Sequence, residues 1–290
     1  MRAPSGKRDH GLFGPESVTW RVHVEPILWV GGIRALLLQS LHPRVMRGTA
    51  QNSDLLDPAR AWERFQRTAE FVGTRTFGTT AEVERAGRRI RRMHAPLRGH
   101  DPDTDTEFAI DDVDNLLWVH CGEIDSYVDV AQRSGILTAA EADRYVAESR
   151  RAAEVVGIPA EAAPASRAEL DEYFDRVRPQ LYACREAREG LLRSLNPPVP
   201  RELRLVRLVA PPVTTLAFTL LPRWARRMYG APGVPTTDLA ATATLRALHA
   251  VTTALPDPPS PPEVDAARRA IRSRQRDGAP QTARDRVVEQ

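Results

Sequence analysis

Three copies of a helix-start motif constrain the fold of this chain more than any other feature. In this motif a Ser or Thr precedes Glu by three residues, so that each side chain can bond the other's backbone N–H. The copies are Thr79–Glu82, Thr138–Glu141 and Ser166–Glu169. A fourth start is indicated at Asp57, an N-cap residue type that is followed by Pro58. These signals predict helices that begin at four places in the middle of the chain.

Apolar residues recur at helical spacing after these starts. One predicted helix face contains Val113, Leu116, Leu117, His120, Ile124, Tyr127 and Val128. Segments 80–98, 201–221 and 237–255 also fit helices, with Gly99 and Gly135 as expected stops. Val, Ile and Thr dominate no long stretch, and aromatic residues make up only 6% of the chain. We therefore predict an all-α, single-domain helical array without strands.

The two ends of the chain differ from its middle. Residues 1–15 are predicted to be a flexible N-terminal arm, and residues 16–256 to form the helical domain. Residues 257–290 are rich in Pro, Arg and Asp, which predicts a tail that contains one short amphipathic helix. The polar N-terminus lacks the apolar core of a signal peptide, so we expect a cytoplasmic protein.

Two apolar segments are too interrupted to predict membrane spans. Segment 26–41 contains Arg34, and segment 208–222 is short and contains prolines. Both are expected to be buried helices. The basic and aromatic sequence RWARRMYG follows the second segment, which leaves peripheral membrane contact open.

Charge and motif content disfavour several functional classes. The net charge is +3, from 41 basic and 38 acidic residues, so no strong basic patch indicates a nucleic-acid partner. Cys121 and Cys184 are the only cysteines and lack the spacing of a zinc site. The motifs of zinc proteases, serine hydrolases, P-loop proteins and dinucleotide-binding proteins do not occur.

His94 lies within an arginine-rich stretch, RRIRRMHAPLRG, at residues 88–99. Helical spacing places it on one face with Val83, Gly87, Ile90 and Leu97, which points it toward the interior. It is then either a core histidine or a neutral imidazole that donates a nitrogen lone pair to a metal. The neighbouring Arg91 and Arg98 either meet the carboxylates of a large anionic cofactor or are solvated.

The preceding helix offers a second set of candidates. Arg64 and Thr68 are four residues apart and share a face beside apolar positions. A guanidinium there either finds an acceptor or extends to solvent at the helix edge. His42 and His120 also lie in apolar settings, where each could ligate a metal, orient a ligand or only fill space.

Six segments, in order, resemble the MpaB-type oxygenase family, which shares its catalytic domain with rubber oxygenase (latex clearing protein). They are GLFGPESVTWRVHVEPILWVGGIRALLLQSLHPRVMRG, RFQRTAEFVGTRTFG, IRRMHAPLRG, DDVDNLLWVHCGEIDSYV, LTAAEADRYVAESRRAAEVVGIP and LLPRWARRMYG. The resemblance covers roughly residues 11–230. It implies a helical fold around one b-type haem, with His94 as the axial iron ligand. Arg64 and Thr68 would line the pocket, and Arg67 takes the basic position before the threonine.

The chain also departs from the family pattern. Asn52 stands in TAQNSD, where relatives commonly have a histidine before the serine. No acidic residue near Arg47 and Gly48 matches the base of rubber oxygenase. The resemblance implies a haem b-dependent oxygenase that uses dioxygen or peroxide on an apolar small molecule, by hydroxylation or carbon–carbon cleavage. The two departures speak against rubber cleavage itself.

Two other classes remain open at this stage. A haem carrier or sensor would result if His42 or His120 occupied the sixth iron position. A helical DNA-binding regulator would use the arginine-rich helix as its recognition element.

Overall fold

The computed structural model describes residues 9–277, apart from 55–56, 58–59, 198 and 257–259, and this part of the chain is almost entirely helical. Its α-helices are α1 Val18–His23, α2 Leu28–Gln39, α3 Pro43–Asn52, α4 Ala61–Phe77, α5 Thr80–His94, α6 Val113–Arg133, α7 Ala139–Val156, α8 Arg167–Val177, α9 Arg185–Leu195, α10 Arg204–Thr219, α11 Arg223–Met228, α12 Thr237–Ala254 and α13 Pro262–Asp277. One small hairpin pairs β1 Arg98–Asp101 with β2 Thr106–Ala109. The all-α prediction is confirmed.

Helix α6 lies at the centre of the core, between α2 on one side and α7 on the other. Trp118 of α6 is fully buried, and its indole N–H donates to the Gln39 carbonyl at 2.8 Å. Gly31 of α2 packs directly on the ring of Tyr127, where a Cβ atom would come within 2.9 Å of the ring. The close approach of α2 and α6 therefore depends on a residue without a side chain.

Most of the predicted helix starts occur where expected. Thr79–Glu82 and Thr138–Glu141 both form complete capping boxes. Ser166 accepts from the backbone N–H of Glu169, but the Glu169 carboxylate bonds the N–H of Ala165 instead of completing the box.

The start predicted at Asp57 was wrong. Helix α4 begins at Ala61 with Arg60 as its N-cap. The Asp57 carbonyl still accepts from the Ala61 N–H at 2.8 Å, so the residue lies one turn before the helix. Pro58, the expected first helical residue, lies outside the described residues.

The hairpin after α5 corrects the prediction that the chain contains no strand. Helix α5 ends at His94 rather than at residue 98, close before Pro96, which lacks a backbone N–H. Gly99 is therefore not a helix stop but a strand residue, opposite Phe108, whose ring would overlap a Cβ atom there. The strands are four residues long and owe their place to tertiary contacts, which explains why periodicity did not predict them.

The hairpin is attached to α3 by buried charges. The Arg47 guanidinium donates to the carboxylates of Asp101 and Asp103, and the Tyr182 hydroxyl also donates to Asp103. Both Arg47 and Asp101 are buried. Because the hairpin directly follows His94, these contacts help to determine where the C-terminal end of α5 lies.

Helix α13 packs against α1 and α4. It corresponds to the amphipathic helix predicted in the tail. Ala267 is buried, and the Arg268 guanidinium donates to the Val24 carbonyl at 2.7 Å. At the other end, Phe13 packs beside Trp20 in the same small apolar cluster. Residues 1–8 and 278–290, the ends of the predicted arm and tail, lie outside the described residues.

The second apolar segment is only partly buried, contrary to expectation. The C-terminal half of α10 packs into the core through Leu216 and Ala217, but Leu208 is 73% exposed. No helix in the described ranges is long and apolar enough to cross a membrane.

Candidate functional site

Helices α4 and α5 form an antiparallel pair that brings Arg64 and His94 to the same end. The chain turns at Gly78, and the two residues lie at similar distances from it along the sequence. At about 1.5 Å per residue, both lie somewhat more than 20 Å from the turn. Their proximity also appears in the electrostatics, because the positive charge of Arg64 contributes to lowering the pKa of His94.

His94 has the properties of a neutral imidazole with a ring nitrogen that has no partner among the described residues. It is the last residue of α5 and is half-buried. Burial is the main cause that lowers its pKa below 6.5, and Arg64 adds to this effect while Asp111 opposes it. Its Nδ1 atom is buried and has no hydrogen-bond partner among the described residues. A ring nitrogen that is neither charged nor hydrogen-bonded is available to a ligand.

Arg64 is a half-buried cation that forms no ion pair among the described residues. Its guanidinium donates to the Thr68 hydroxyl at 2.6 Å, and that hydroxyl donates to the Arg64 carbonyl at 3.1 Å. Burial lowers the pKa of Arg64, the neighbouring Arg67 lowers it further, and the charge of Asp54 opposes both effects. In the part of the chain that the structure describes, no carboxylate forms an ion pair with Arg64. The site therefore offers a positive group to an anionic or strongly polar ligand.

The other predicted arginines lie in different surroundings. Arg67 is exposed and lies 3.6 Å from the Asp54 carboxylate. Arg91 donates to the Val155 carbonyl at the C-terminal end of α7, at 2.5 Å. Arg98 lies in β1 rather than in the helix, and its guanidinium donates to the carbonyls of Ala95 and Leu97. The guanidinium groups of Arg91 and Arg98 therefore donate hydrogen bonds to backbone carbonyls.

His120 and His42 are neutral and have partners on elements other than α4 and α5. His120 is buried on α6, with Nε2 3.5 Å from the Ser149 hydroxyl of α7, and burial lowers its pKa to about 4. His42 is the N-cap of α3, and its ring lies 5.9 Å from that of Trp118. Burial lowers the pKa of His42 to about 4 as well.

A partly exposed aromatic cluster includes Phe65, the residue that follows Arg64. The ring of Phe65 lies 5.9 Å from that of Trp29 on α2 and 5.6 Å from that of Trp62. Trp29 is 59% exposed. Trp62 and Phe65 are half-buried, so the cluster presents one exposed ring beside two partly covered ones; an apolar patch of this kind can serve as a contact site for an apolar partner. Sequence reasoning did not single out either tryptophan, although the one-turn steps of α4 would have placed Trp62 near Phe65.

A buried ion pair lies on the same face of α4, eleven residues beyond Arg64. The guanidinium of Arg75 meets both carboxylate oxygens of Glu123 on α6, at 2.5 and 3.2 Å. Arg75 lowers the pKa of Glu123, so the pair stays charged despite its burial. Sequence reasoning did not single out Arg75. Its helical spacing from Arg64 and Thr68 would have placed it on their face of α4, but no such pattern identifies the partner carboxylate.

The neighbours of this ion pair are also polar. The Tyr145 hydroxyl lies 2.8 Å from Nε2 of His23 on α1, and the His23 ring contacts the edge of Tyr127. Burial lowers the pKa of His23 to about 3, so this histidine is neutral. Glu123 and Arg75 therefore neutralise only each other among these groups.

The fold and the site together define an all-α domain with a half-buried histidine and arginine at one end of a helix pair. Within the described residues, no group of three or more His, Cys, Asp or Glu side chains is placed to hold a metal ion, whereas a haem iron needs only one protein ligand. A family model described as "ER-bound oxygenase mpaB/B'/Rubber oxygenase, catalytic domain" matches residues 20–286. The chain belongs to this oxygenase family, which confirms the resemblance inferred from its six segments. Comparisons with curated proteins and with solved structures give no match.

Proposed function

We propose that this protein is a haem b-dependent oxygenase that acts on an apolar small molecule, with His94 as the axial iron ligand. The observation that carries the proposal is the neutral His94 ring, whose buried Nδ1 has no partner in the described part of the chain. An axial ligand must be unprotonated, and the burial of His94 together with the charge of Arg64 keeps it so at neutral pH.

Arg64 and Thr68 are the proposed catalytic residues. When bound, the haem would supply the redox chemistry of dioxygen or peroxide. Arg64 would stabilise negative charge that is present or develops in the pocket, because its guanidinium has no carboxylate partner among the described residues. Thr68 would hold that guanidinium in place through its 2.6 Å hydrogen bond. Arg67 is the second cation of this helix face, at its exposed edge.

The aromatic cluster supports an apolar substrate. Trp29, Trp62 and Phe65 offer ring faces and edges to an apolar molecule beside Arg64. Rubber oxygenase has an acidic residue as its base near the position of Gly48. In this protein Gly48 packs on the side chains of Ile110 and Phe108. Position 48 itself has no room for a carboxylate, and the buried carboxylate that the structure places beside it, Asp101, is paired with Arg47. Product analysis would distinguish hydroxylation from carbon–carbon cleavage.

The visible spectrum of purified protein loaded with haem tests the proposal. We expect a Soret band in the wild type and little or none in His94→Ala. His42→Ala and His120→Ala serve as matched controls and should keep the band, because both rings have partners on other elements. A His94→Ala variant that binds haem as well as the wild type does would refute the assignment.

Binding of carbon monoxide separates an oxygenase from a haem carrier or sensor. We expect the reduced protein to bind carbon monoxide, because His42 and His120 bond groups on α3 and α7 rather than turning toward α5. A reduced protein that binds haem but not carbon monoxide would favour the carrier. The DNA-binding alternative gains no support, since α5 packs along both α4 and α7.

A further inference from the structure

Helix α4 carries the proposed catalytic residues but is buried at only one end. Its buried residues are Arg75 and Thr76, in the last turn. The indole N–H of Trp20 donates to the Thr76 carbonyl at 2.8 Å, and Arg75 forms the two-pronged ion pair with Glu123. The C-terminal end of α4 is thus joined to α1 and α6.

The other end of α4 is less buried, and its Phe65 contacts Trp29 of α2. Every described residue from Ala61 to Thr74 is half-buried or exposed, including Arg64 and Thr68. Arg64 lies eleven residues before Arg75, which is about 16 Å along the helix axis. A rotation of about 10° at the buried end would move Arg64 by about 3 Å. Groups that act together at a site need placement within about 0.5 Å.

His94 is held by a different neighbour. Helix α5 lies against α7, where Gly87 contacts the Val155 backbone and Arg91 donates to the Val155 carbonyl. Helix α4 packs on α5, α13 and α1, and the Arg75–Glu123 pair also joins its buried end to α6, whereas α5 packs on both α4 and α7. The contacts at the buried end of α4 therefore act together with the direct packing of α4 on α5 to place Arg64 relative to His94.

The Arg75–Glu123 pair is suited to this task because its geometry is specific. Two parallel N–H···O bonds define the relative orientation of the guanidinium and the carboxylate, which one point contact would not. The neighbouring His23 and His120 are neutral, so neither of them can replace a charged partner. Loss of one partner leaves the other buried and unpaired.

We propose that Arg75 and Glu123 are positioning residues, and that their ion pair sets the direction of α4 and so places Arg64 and Thr68 relative to His94. The functional consequence rests on the proposed haem-dependent activity, but the structural claim does not need the cofactor. Neither residue is placed in contact with substrate or haem.

Spin labels on α4 and α5 test the structural claim without haem. In a background with Cys121→Ala and Cys184→Ala, labels would be attached at Gln66→Cys and Arg92→Cys, two exposed positions near the Arg64 and His94 ends. We expect one narrow distance distribution in this background. Glu123→Gln should shift or broaden it by about 3 Å, and the double exchange Arg75→Glu with Glu123→Arg should restore it in large part.

Another buried ion pair of α6 serves as a matched control. Arg34 and Asp125 pair at 2.9 Å and join α6 to α2 rather than to α4. Asp125→Asn should lower the melting temperature and leave the label distance unchanged. If a variant at Glu123 fails to fold, Arg75→Lys keeps the charge, loses the two-pronged geometry and should broaden the distribution. An unchanged distribution in a folded Glu123→Gln or Arg75→Lys variant would overturn the proposal.

The carbon monoxide stretching frequency of the reduced, haem-loaded protein tests the functional consequence. Glu123→Gln should keep the Soret band, because His94 is intact, and shift this frequency toward that of Arg64→Ala. The charge exchange should shift it back. A folded, haem-bound Glu123→Gln protein with the wild-type frequency would refute the link to Arg64. Failure of the wild type to bind haem would instead refute the proposed function, and the label distances would still decide the role of the pair.

Discussion

Acid pH should destabilise this protein through its buried histidines, and His120 allows the effect to be measured. The ring is buried on α6, and burial lowers its pKa from 6.5 to about 4. Below pH 6.5 the unfolded chain takes up a proton at His120 that the folded protein does not. Stability is therefore undiminished above pH 6.5, falls as the pH decreases, and stops falling through this residue near pH 4.

The magnitude follows from the difference between the two pKa values. Each pKa unit corresponds to about 1.4 kcal/mol. The titration of His120 therefore lowers the free energy of unfolding by roughly 3 kcal/mol between pH 6.5 and pH 4, and by 2–3 kcal/mol by pH 4.5. His23, whose pKa falls to about 3, and His42, whose pKa falls to about 4, act in the same direction. Together the losses of unfolding free energy from these three histidines amount to a large part of the stability of an ordinary domain.

Urea unfolding between pH 7.5 and 4.5 measures this effect. His120→Gln removes the titrating group, so the loss of unfolding free energy between these pH values should be 2–3 kcal/mol smaller than in the wild type. Ser149→Ala is the control, because it removes the hydroxyl beside His120 and no charge. It should lower stability by a similar amount at every pH. Parallel curves for wild type and His120→Gln would show that the folded protein protonates His120 as readily as the unfolded chain does.

Two further predictions concern the helices that frame the site. Gly31→Ala should lower the free energy of unfolding by about 1–3 kcal/mol, because its Cβ would come within 2.9 Å of the Tyr127 ring. The adjacent Gly32→Ala would meet only the Tyr127 hydroxyl at 3.9 Å and should stabilise by up to about 1 kcal/mol; equal effects in thermal unfolding would contradict the close packing of α2 on α6. Thr138→Ala removes one half of a capping box and should cost about 1 kcal/mol, measured by urea unfolding; a variant of wild-type stability would show that the box contributes nothing.

Local signals predicted the helices best. A capping box acts within one turn, so Thr79 and Thr138 determine a helix start in nearly any surroundings. The family resemblance identified His94, Arg64 and Thr68, and the structure brings the first two to one end of a helix pair. That proximity also follows from two helices of similar length joined at Gly78, which needs no knowledge of the rest of the fold.

Contacts between distant segments were not predictable in the same way. The strands at Arg98–Asp101 and Thr106–Ala109 are too short for periodicity and depend on the burial of Asp101 against Arg47. The exposure of Leu208 was missed because an apolar sequence does not show which of its faces finds a neighbour.

The sequence by itself determined the helical class, several helix boundaries and the family, because capping and periodicity act between residues a few positions apart. Only the tertiary structure decided which charges are paired. Arg75 and Arg64 look alike in the sequence, three turns apart on one helix. Arg75 is buried and paired with Glu123, whereas Arg64 has no carboxylate partner among the described residues and is available to a ligand. The order of residues does not specify this difference, because charge compensation depends on distances in the folded protein.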